Sequence, residues 1–251
     1  MYRQRAEQSP IPYEEAGDGF PVFMVHGRLN DSRLWAGVSA LLAGRYRSIR
    51  PDLRTDGQSY TASAGGHADR LLRLLDWLGL RRVHLVSYGA GWSWTAELAV
   101  QAPHRVASLT VIDPIVPRAE QTNAIQESWH LEMLLQWLSV SHGNTVRRPE
   151  HAAALAAVVA QQTHARLPGA ESSRMAPATG LDMPPMEGIR CPVLAMVGQN
   201  APAESKALVA SVFGQVRLVQ LCLVPGAVRH SPLEAPAIVA ERLERFLSTI
   251  A

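Results

Sequence analysis

Short apolar runs alternate with amphipathic stretches over most of the chain, and this order limits the possible folds more than any other feature. The apolar runs, at residues 21–25, 83–86 and 107–112, are short enough to be buried strands, and residues 46–51 are predicted as a further short strand. The stretches between them, residues 31–43, 67–80 and 92–101, carry apolar side chains at helical spacing. Strands that alternate with helices over short connections form parallel βαβ units, so the sequence predicts an α/β fold with a mostly parallel, doubly wound sheet.

The alternation is interrupted once, in the second half of the chain. Residues 117–188 hold no clear buried strand, and helical patterns there precede a stretch rich in Pro, Gly and Ser. The strand pattern returns at 192–197 and 216–224, and a last helix is predicted at 237–247. We therefore predict one core from residues 1–116 and 189–251, with residues 117–188 inserted in the same domain as a helical cap.

Composition excludes several classes of function. The 251 residues are 47% hydrophobic and 18% charged, which suits a folded protein with a large core. A net charge of +2 is too weak for a nucleic-acid-binding protein, and two cysteines are too few for a disulfide framework or a four-ligand zinc site. No run approaches the ~18 apolar residues of a membrane span, and the polar N-terminal segment does not resemble a signal peptide. We expect a cytoplasmic protein that binds no metal, nucleic acid or membrane.

Four motifs carry a resemblance to a known family. The turn Ser87-Tyr88-Gly89-Ala90-Gly91 lies between a strand and a helix, as a nucleophile elbow G-x-S-x-G does. His26-Gly27-Arg28 follows the first strand, residues 52–59 read DLRTDGQS, and residues 224–236 place His230 before the last helix. In this order the motifs resemble the α/β-hydrolase family, which implies an α/β-hydrolase fold with a helical cap.

The sequence departs from that family at its two usual catalytic positions. The resemblance places Gly89 at the nucleophile and Ala201 where an acid is expected, so no acyl-enzyme mechanism is predicted. Ser87 comes two residues too early to replace the nucleophile. The turn also resembles the start of a G-x-G-x-x-G dinucleotide fingerprint, but Trp94 stands at the third glycine and is too bulky for it.

Two groups remain for chemistry at the places the family uses. His230 precedes the last helix and Asp113 ends the strand at residues 107–112. An ungapped comparison with the family places Arg229 at the histidine position and His230 fits if one residue shifts, but a histidine is the better base. We predict that Asp113 orients His230, which acts as a general base. The backbone N–H groups of Arg28 and Ala90 would hold the resulting oxyanion.

A finer resemblance is to the cofactor-free dioxygenases that cleave 3-hydroxy-4-quinolone rings. It rests on His26-Gly27 followed by Asp31 and Arg33, on Val86-Ser87, on Asp113, and on the segment at Gln199 that lacks an acid. It implies that the histidine deprotonates an aromatic substrate, whose anion then reacts with dioxygen without metal, flavin or other cofactor. The expected substrate is a small aromatic or polyketide-like compound, and Arg28 beside the oxyanion hole would favour an acidic or phenolate one.

Other functions use the same residues and stay open. They are a base-catalysed lyase, cyclase or decarboxylase, a hydrolase in which His230 activates water, and a non-catalytic protein that binds a ligand or partner. A homodimer is also an open expectation. The pocket is expected between sheet and cap, and the candidates to line it are His26, Trp35, Tyr88, Trp92, Trp129, His130 and Trp137.

Overall fold

The computed structural model describes residues 3–4, 9–27, 30–53, 64–115 and 185–250. They form an eight-stranded sheet in the order β1-β2-β4-β3-β5-β6-β7-β8. The strands are β1 (Arg3–Gln4), β2 (Tyr13–Ala16), β3 (Phe20–Val25), β4 (Tyr46–Pro51), β5 (Val83–Tyr88), β6 (Val106–Ile112), β7 (Val193–Gly198) and β8 (Val219–Val224). The pairs β1–β2 and β2–β4 are antiparallel and all the others are parallel, which confirms the predicted α/β class.

Helices connect the strands and cover both faces of the sheet. They are α1 (Ala36–Leu42), α2 (Ala64–Trp77), α3 (Gly91–Gln101), α4 (Ala203–Phe213), α5 (Ser231–Glu234) and α6 (Pro236–Leu247), with 3₁₀ turns at Ser32–Trp35, Pro103–Arg105 and Met186–Gly188. Strand β3 shows the two-sided arrangement, because Phe23 and Val25 join a core with α2, α3 and α4, whereas Val22 and Met24 join a core with α1 and α6. A doubly wound sheet is therefore present.

The structure adds elements that the periodicity did not predict. Strands β1 and β2 are short and polar, so their sequence gives little alternation. Helix α4 follows β7 directly and was not predicted either. The predicted helix at 31–43 begins as a 3₁₀ turn, which Asp31 caps by accepting a hydrogen bond from the backbone N–H of Arg33 at 2.9 Å.

The predicted cap falls almost entirely outside the described residues. The chain divides into two units, and the described residues all belong to the unit made of residues 1–116 and 181–251. The boundaries of the cap stay a prediction. In the described part of the chain no helix is long and apolar enough to cross a membrane. Cys191 and Cys222 are free thiols.

Candidate functional site

The candidate site lies at the carboxyl ends of the parallel strands, where open α/β sheets bind their ligands. Four segments meet there: the loop after β3, the turn between β5 and α3, the end of β6, and the loop between β8 and α5. Each of them carries at least one residue predicted from the sequence. The positions of these side chains decide what chemistry the edge can perform.

The turn after β5 has the backbone of a sharp elbow. Gly89 has φ +57°, its N–H donates to the carbonyl of Ile112 at 3.1 Å, and its own carbonyl accepts from Ile115 N–H at 3.3 Å. A Cβ on Gly89 would lie 3.8 Å from Cδ1 of Ile115 and 3.9 Å from Cα of Gly27, which are ordinary contacts. The turn therefore has room for a side chain that the sequence does not provide.

The elbow packs backbone to backbone against the loop after β3. A Cβ on Gly91 would lie 2.6 Å from the carbonyl oxygen of His26, and one on Gly27 would lie 3.2 Å from that of Tyr88 and 3.5 Å from the nitrogen of Ala90. Glycine at residue 91 permits a contact that a side chain would prevent. The nitrogen of Ala90, a predicted oxyanion donor, consequently faces this narrow junction.

His26 anchors the loop rather than offering a group to a substrate. Its side chain is buried, and its Nε2 accepts a hydrogen bond from the backbone N–H of Leu53 at 3.0 Å. Nδ1 must then carry the proton, which it donates to the carbonyl of Gly27 at 2.7 Å. Both ring nitrogens bond the backbone, so the predicted substrate contact of His26 is corrected to a structural role.

Two of the predicted pocket tryptophans belong to the core. Trp35 and Trp92 are both 0% exposed. Trp92 packs edge-to-face on Phe213 with ring centroids 5.3 Å apart, and its Nε1–H donates to the carbonyl of Ile115 at 2.8 Å. Both indoles therefore pack in the core of the described residues, and their predicted contact with a substrate stays a prediction.

The imidazole of His230 meets the phenol of Tyr88. His230 is 8% exposed and lies just before α5, and its Nδ1 is 2.5 Å from Oη of Tyr88. The same phenol oxygen is 3.1 Å from the carbonyl oxygen of Arg229. Burial raises the pKa of Tyr88 well above its ordinary value, so the phenol stays protonated. Of the two candidates at this position, it is His230 whose ring reaches the end of β5.

Asp113 binds backbone groups and joins three segments. Its Oδ1 accepts from the N–H of Gly198 at 2.9 Å, and its Oδ2 from the N–H of Ser231 at 2.8 Å. Asp113 has φ +44°, a conformation that Asp tolerates better than most residues. Burial raises the pKa of its carboxyl to about 6, while the hydrogen bonds from Ser231 and Gly198 act in the opposite direction.

This arrangement corrects the predicted pair of Asp113 and His230. The carboxylate is held by backbone N–H groups, and Nδ1 of the imidazole is held by Tyr88, so no direct hydrogen bond between the two side chains is found at this described edge. Asp113 acts on the loop through the peptide that links His230 to Ser231. The sequence predicted that both residues lie at one edge of the sheet, but it did not reveal which of their atoms form hydrogen bonds.

A match to a known family decides the identity of the fold. The model of the α/β hydrolase fold family matches residues 21–177. The chain belongs to the α/β hydrolase fold family. Solved structures agree: a meta-cleavage product hydrolase from Pseudomonas fluorescens has a TM-score of 0.71 at 17% identity and covers 95% of this chain and 94% of its own. A naproxen esterase from Bacillus subtilis has a TM-score of 0.70 at 20% identity, covering 98% and 92%.

Curated relatives match a shorter part of this chain. A dihydrolipoyllysine-residue acetyltransferase component of an acetoin cleaving system from Pseudomonas putida is 36% identical over 105 residues, which is 40% of this chain and 28% of the relative. A fluoroacetate dehalogenase from Burkholderia sp. is 34% identical over 110 residues, which is 40% of this chain and 36% of the relative. The aligned part of the chain thus spans only about a third of the length of these relatives.

The loop before α5 depends on Glu234, a residue that was not predicted from the sequence. Oε2 of Glu234 accepts hydrogen bonds from the N–H groups of Val228 at 2.6 Å and His230 at 3.4 Å. A glutamate in the first turn of a helix, four residues after the histidine, was the available signal. Ser87, by contrast, is 0% exposed and its hydroxyl donates to the carbonyl of Thr110, so it offers no nucleophile.

Several predicted site residues lie outside the described residues. They are Arg28, Trp129, His130 and Trp137. Among the described residues, no group of three His, Cys, Asp or Glu side chains is arranged to hold a metal ion. The chemistry of the described edge therefore rests on an imidazole, a phenol, a buried carboxyl group and backbone N–H groups.

Proposed function

We propose that this chain is a general-base enzyme of the α/β hydrolase fold that works without a covalent nucleophile. The observation that carries the proposal is Gly89, which has φ +57° at the strand–helix turn where a nucleophile elbow presents its hydroxyl or thiol. Since glycine has no side chain, a covalent intermediate cannot form at this position. The catalytic group must then come from a neighbouring segment.

His230 is the group best suited to serve as that base. It lies at the same edge of the sheet, it is almost fully buried, and its ring is held by Tyr88 through Nδ1. A base in this position takes a proton from a bound hydroxyl, enol or water, and Ala90 supplies a backbone N–H beside the developing anion. Asp113 supports the base indirectly, because it fixes the peptide that follows His230.

The proposed substrate is a small aromatic or polyketide-like hydroxyl compound. Removal of its hydroxyl proton by His230 leaves an electron-rich anion, and dioxygen is the proposed second reactant. The same base also supports two other reactions: elimination or cyclisation of the anion without oxygen, and attack by a water that His230 activates. All three share the base and differ in whether they consume dioxygen.

The test compares aerobic and anaerobic turnover. Hydroxyquinolones and phenolic polyketides are supplied to the wild type, to His230→Ala, and to His104→Ala, whose exposed histidine lies in a surface 3₁₀ turn. We expect oxygen-dependent turnover by the wild type and His104→Ala, and none by His230→Ala. Oxygen-independent turnover that vanishes in His230→Ala would assign the lyase or hydrolase reaction. Turnover that survives in His230→Ala would overturn the general-base proposal.

A second candidate is a non-catalytic ligand-binding protein. It is favoured by the way Asp113 is used, since both of its carboxylate oxygens accept hydrogen bonds from backbone groups, as expected of a residue that holds loops together. Calorimetric titration with the same compounds separates the two functions. Binding without turnover, unchanged between the wild type and His230→Ala, would assign the binding function.

A further inference from the structure

We propose that Tyr88 fixes the tautomer of His230, its phenol oxygen accepting Nδ1–H so that Nε2 carries the lone pair. The inference rests on the proposed function insofar as that lone pair is the base. Tyr88 is thus a positioning residue that acts through the imidazole. A carboxylate takes this place in a Ser-His-Asp triad.

The hydrogens available to three atoms decide which of them donate. Oη of Tyr88 carries one hydrogen and lies 2.5 Å from Nδ1 of His230 and 3.1 Å from the carbonyl oxygen of Arg229. A carbonyl oxygen only accepts, so the phenolic hydrogen must point to Arg229 for that contact to be a hydrogen bond. The phenol oxygen then accepts from Nδ1–H. If the phenol instead donated its hydrogen to Nδ1, its oxygen and the carbonyl oxygen of Arg229 would lie 3.1 Å apart with no hydrogen between them.

The phenol can hold this role because it stays neutral. Tyr88 is 3% exposed, and the carboxylates of Asp113 and Glu234 raise the pKa of its phenol further, while Arg229 acts in the opposite direction. A neutral acceptor orients Nδ1–H but stabilises the imidazolium less than a carboxylate would.

The fold keeps Tyr88 rigid. It is the last residue of β5 and pairs with Ile112 of β6, and its side chain packs in the core that includes Met196 and Val224. Gly89, directly after it, supplies the turn. A strand residue locked by packing on one face and by two hydrogen bonds at its tip is well placed to set the orientation of a loop histidine.

The first experiment reads the tautomer directly and needs no substrate. The ring nitrogens of ¹⁵N-histidine-labelled protein are assigned by comparison with His230→Gln, at a pH where the imidazole is neutral. We expect the wild type to carry the proton on Nδ1, and Tyr88→Phe to shift the population towards Nε2–H. A wild-type ring protonated on Nε2, or a tautomer unchanged in Tyr88→Phe, would overturn the proposal.

The second experiment reads catalysis, with Tyr46→Phe as the matched control on β4. With a turned-over substrate, we expect Tyr88→Phe to lower kcat by at least about tenfold with little change in KM, because a misprotonated base slows proton transfer. The pH dependence of kcat should change shape, which simple loss of folded protein would not produce. Absence of turnover in the wild type would count against the proposed function alone, since the tautomer is measured independently.

Discussion

Asp113 shows at the scale of one residue how a buried carboxyl group can serve the backbone. Its two oxygens join Gly198 at the end of β7 to Ser231 at the start of α5. The cost is visible in its pKa, which burial raises to about 6. The folded protein therefore retains a proton there that the unfolded chain has already released at the same pH.

The first prediction concerns Asp113→Asn. A folded-state pKa raised from 3.8 to about 6 means that this group's contribution to stability is complete below about pH 4 and falls as the pH rises through 6. The variant lacks this loss, so its stability relative to the wild type should improve by about 3 kcal/mol between pH 4 and 7. Urea unfolding across this range measures it. A parallel pair of curves would contradict the raised pKa.

The second prediction concerns Gly89→Ser, with Gly89→Ala as its matched control. The Cβ fits at ordinary contact distances, and the positive φ costs a non-glycine residue about 1–2 kcal/mol. We expect a serine-directed fluorophosphonate probe to label Gly89→Ser, and neither Gly89→Ala nor the wild type. Intact mass spectrometry detects the adduct. Labelling of the wild type would refute the absence of an elbow nucleophile.

These residues differ in how far the sequence could reveal them. Gly89, Asp113 and His230 could be placed at one edge because each follows or precedes a recognisable element. The bond between Tyr88 and His230 joins residues 142 positions apart and depends on which way a loop turns, so no local pattern encodes it. The same limit applies to Trp92, because a helix that is buried on nearly all sides has no distinct polar face that the sequence could reveal.

At the scale of elements, the junction between α3 and the loop after β3 depends on a missing side chain. Gly91 opens α3 and approaches the carbonyl oxygen of His26 too closely for any Cβ. Because both partners are backbone, neither can move aside without shifting a strand end. The helix start and the loop are therefore one packed unit.

The third prediction follows for Gly91→Ala, with Gly44→Ala as control. A Cβ at residue 91 meets an oxygen at 2.6 Å, whereas one at residue 44 meets nothing within 4 Å. We expect Gly91→Ala to lose about 2–4 kcal/mol and Gly44→Ala to change by less than about 1 kcal/mol. Guanidinium unfolding compares them. Equal stability of the two variants would show that the junction yields more easily than its geometry indicates.

Element prediction from the sequence succeeded where burial was strongest. The parallel strands β3, β6 and β7 are nearly continuous apolar runs, which periodicity detects well. Strand β2 reads YEEA, and its two glutamates pair with arginines, Glu14 with Arg50 and Glu15 with Arg47. Ion pairs across strands leave no hydrophobic pattern, so this antiparallel edge could only be seen in the structure.

At the scale of the whole molecule, two buried titratable groups lie at opposite ends of the sheet. Asp113 lies at the carboxyl ends of the strands, and His84 lies near the start of β5, with its Nδ1 2.8 Å from Oγ of Ser108. Burial lowers the pKa of His84 to about 4. Between pH 4 and 6 the two groups change stability in opposite directions.

The fourth prediction concerns His84→Gln. The unfolded chain binds a proton at the ordinary histidine pKa of about 6.5 and the folded one only near 4, so stability falls as the pH drops between these values. The variant should lack this fall, and Asp113→Asn should make it steeper. Denaturant midpoints at closely spaced pH values provide the measurement. A wild type and a His84→Gln variant with the same pH dependence would disprove the depressed pKa.

The space beside Gly89 has a consequence for how this chain can evolve. Two of the glycine codons differ from serine codons by a single base, so a hydroxyl can be gained or lost at this turn in one mutational step. The surrounding atoms have not closed over the position, since a Cβ there meets only ordinary contacts. Selection at this site can therefore act on reactivity without rebuilding the packing around it.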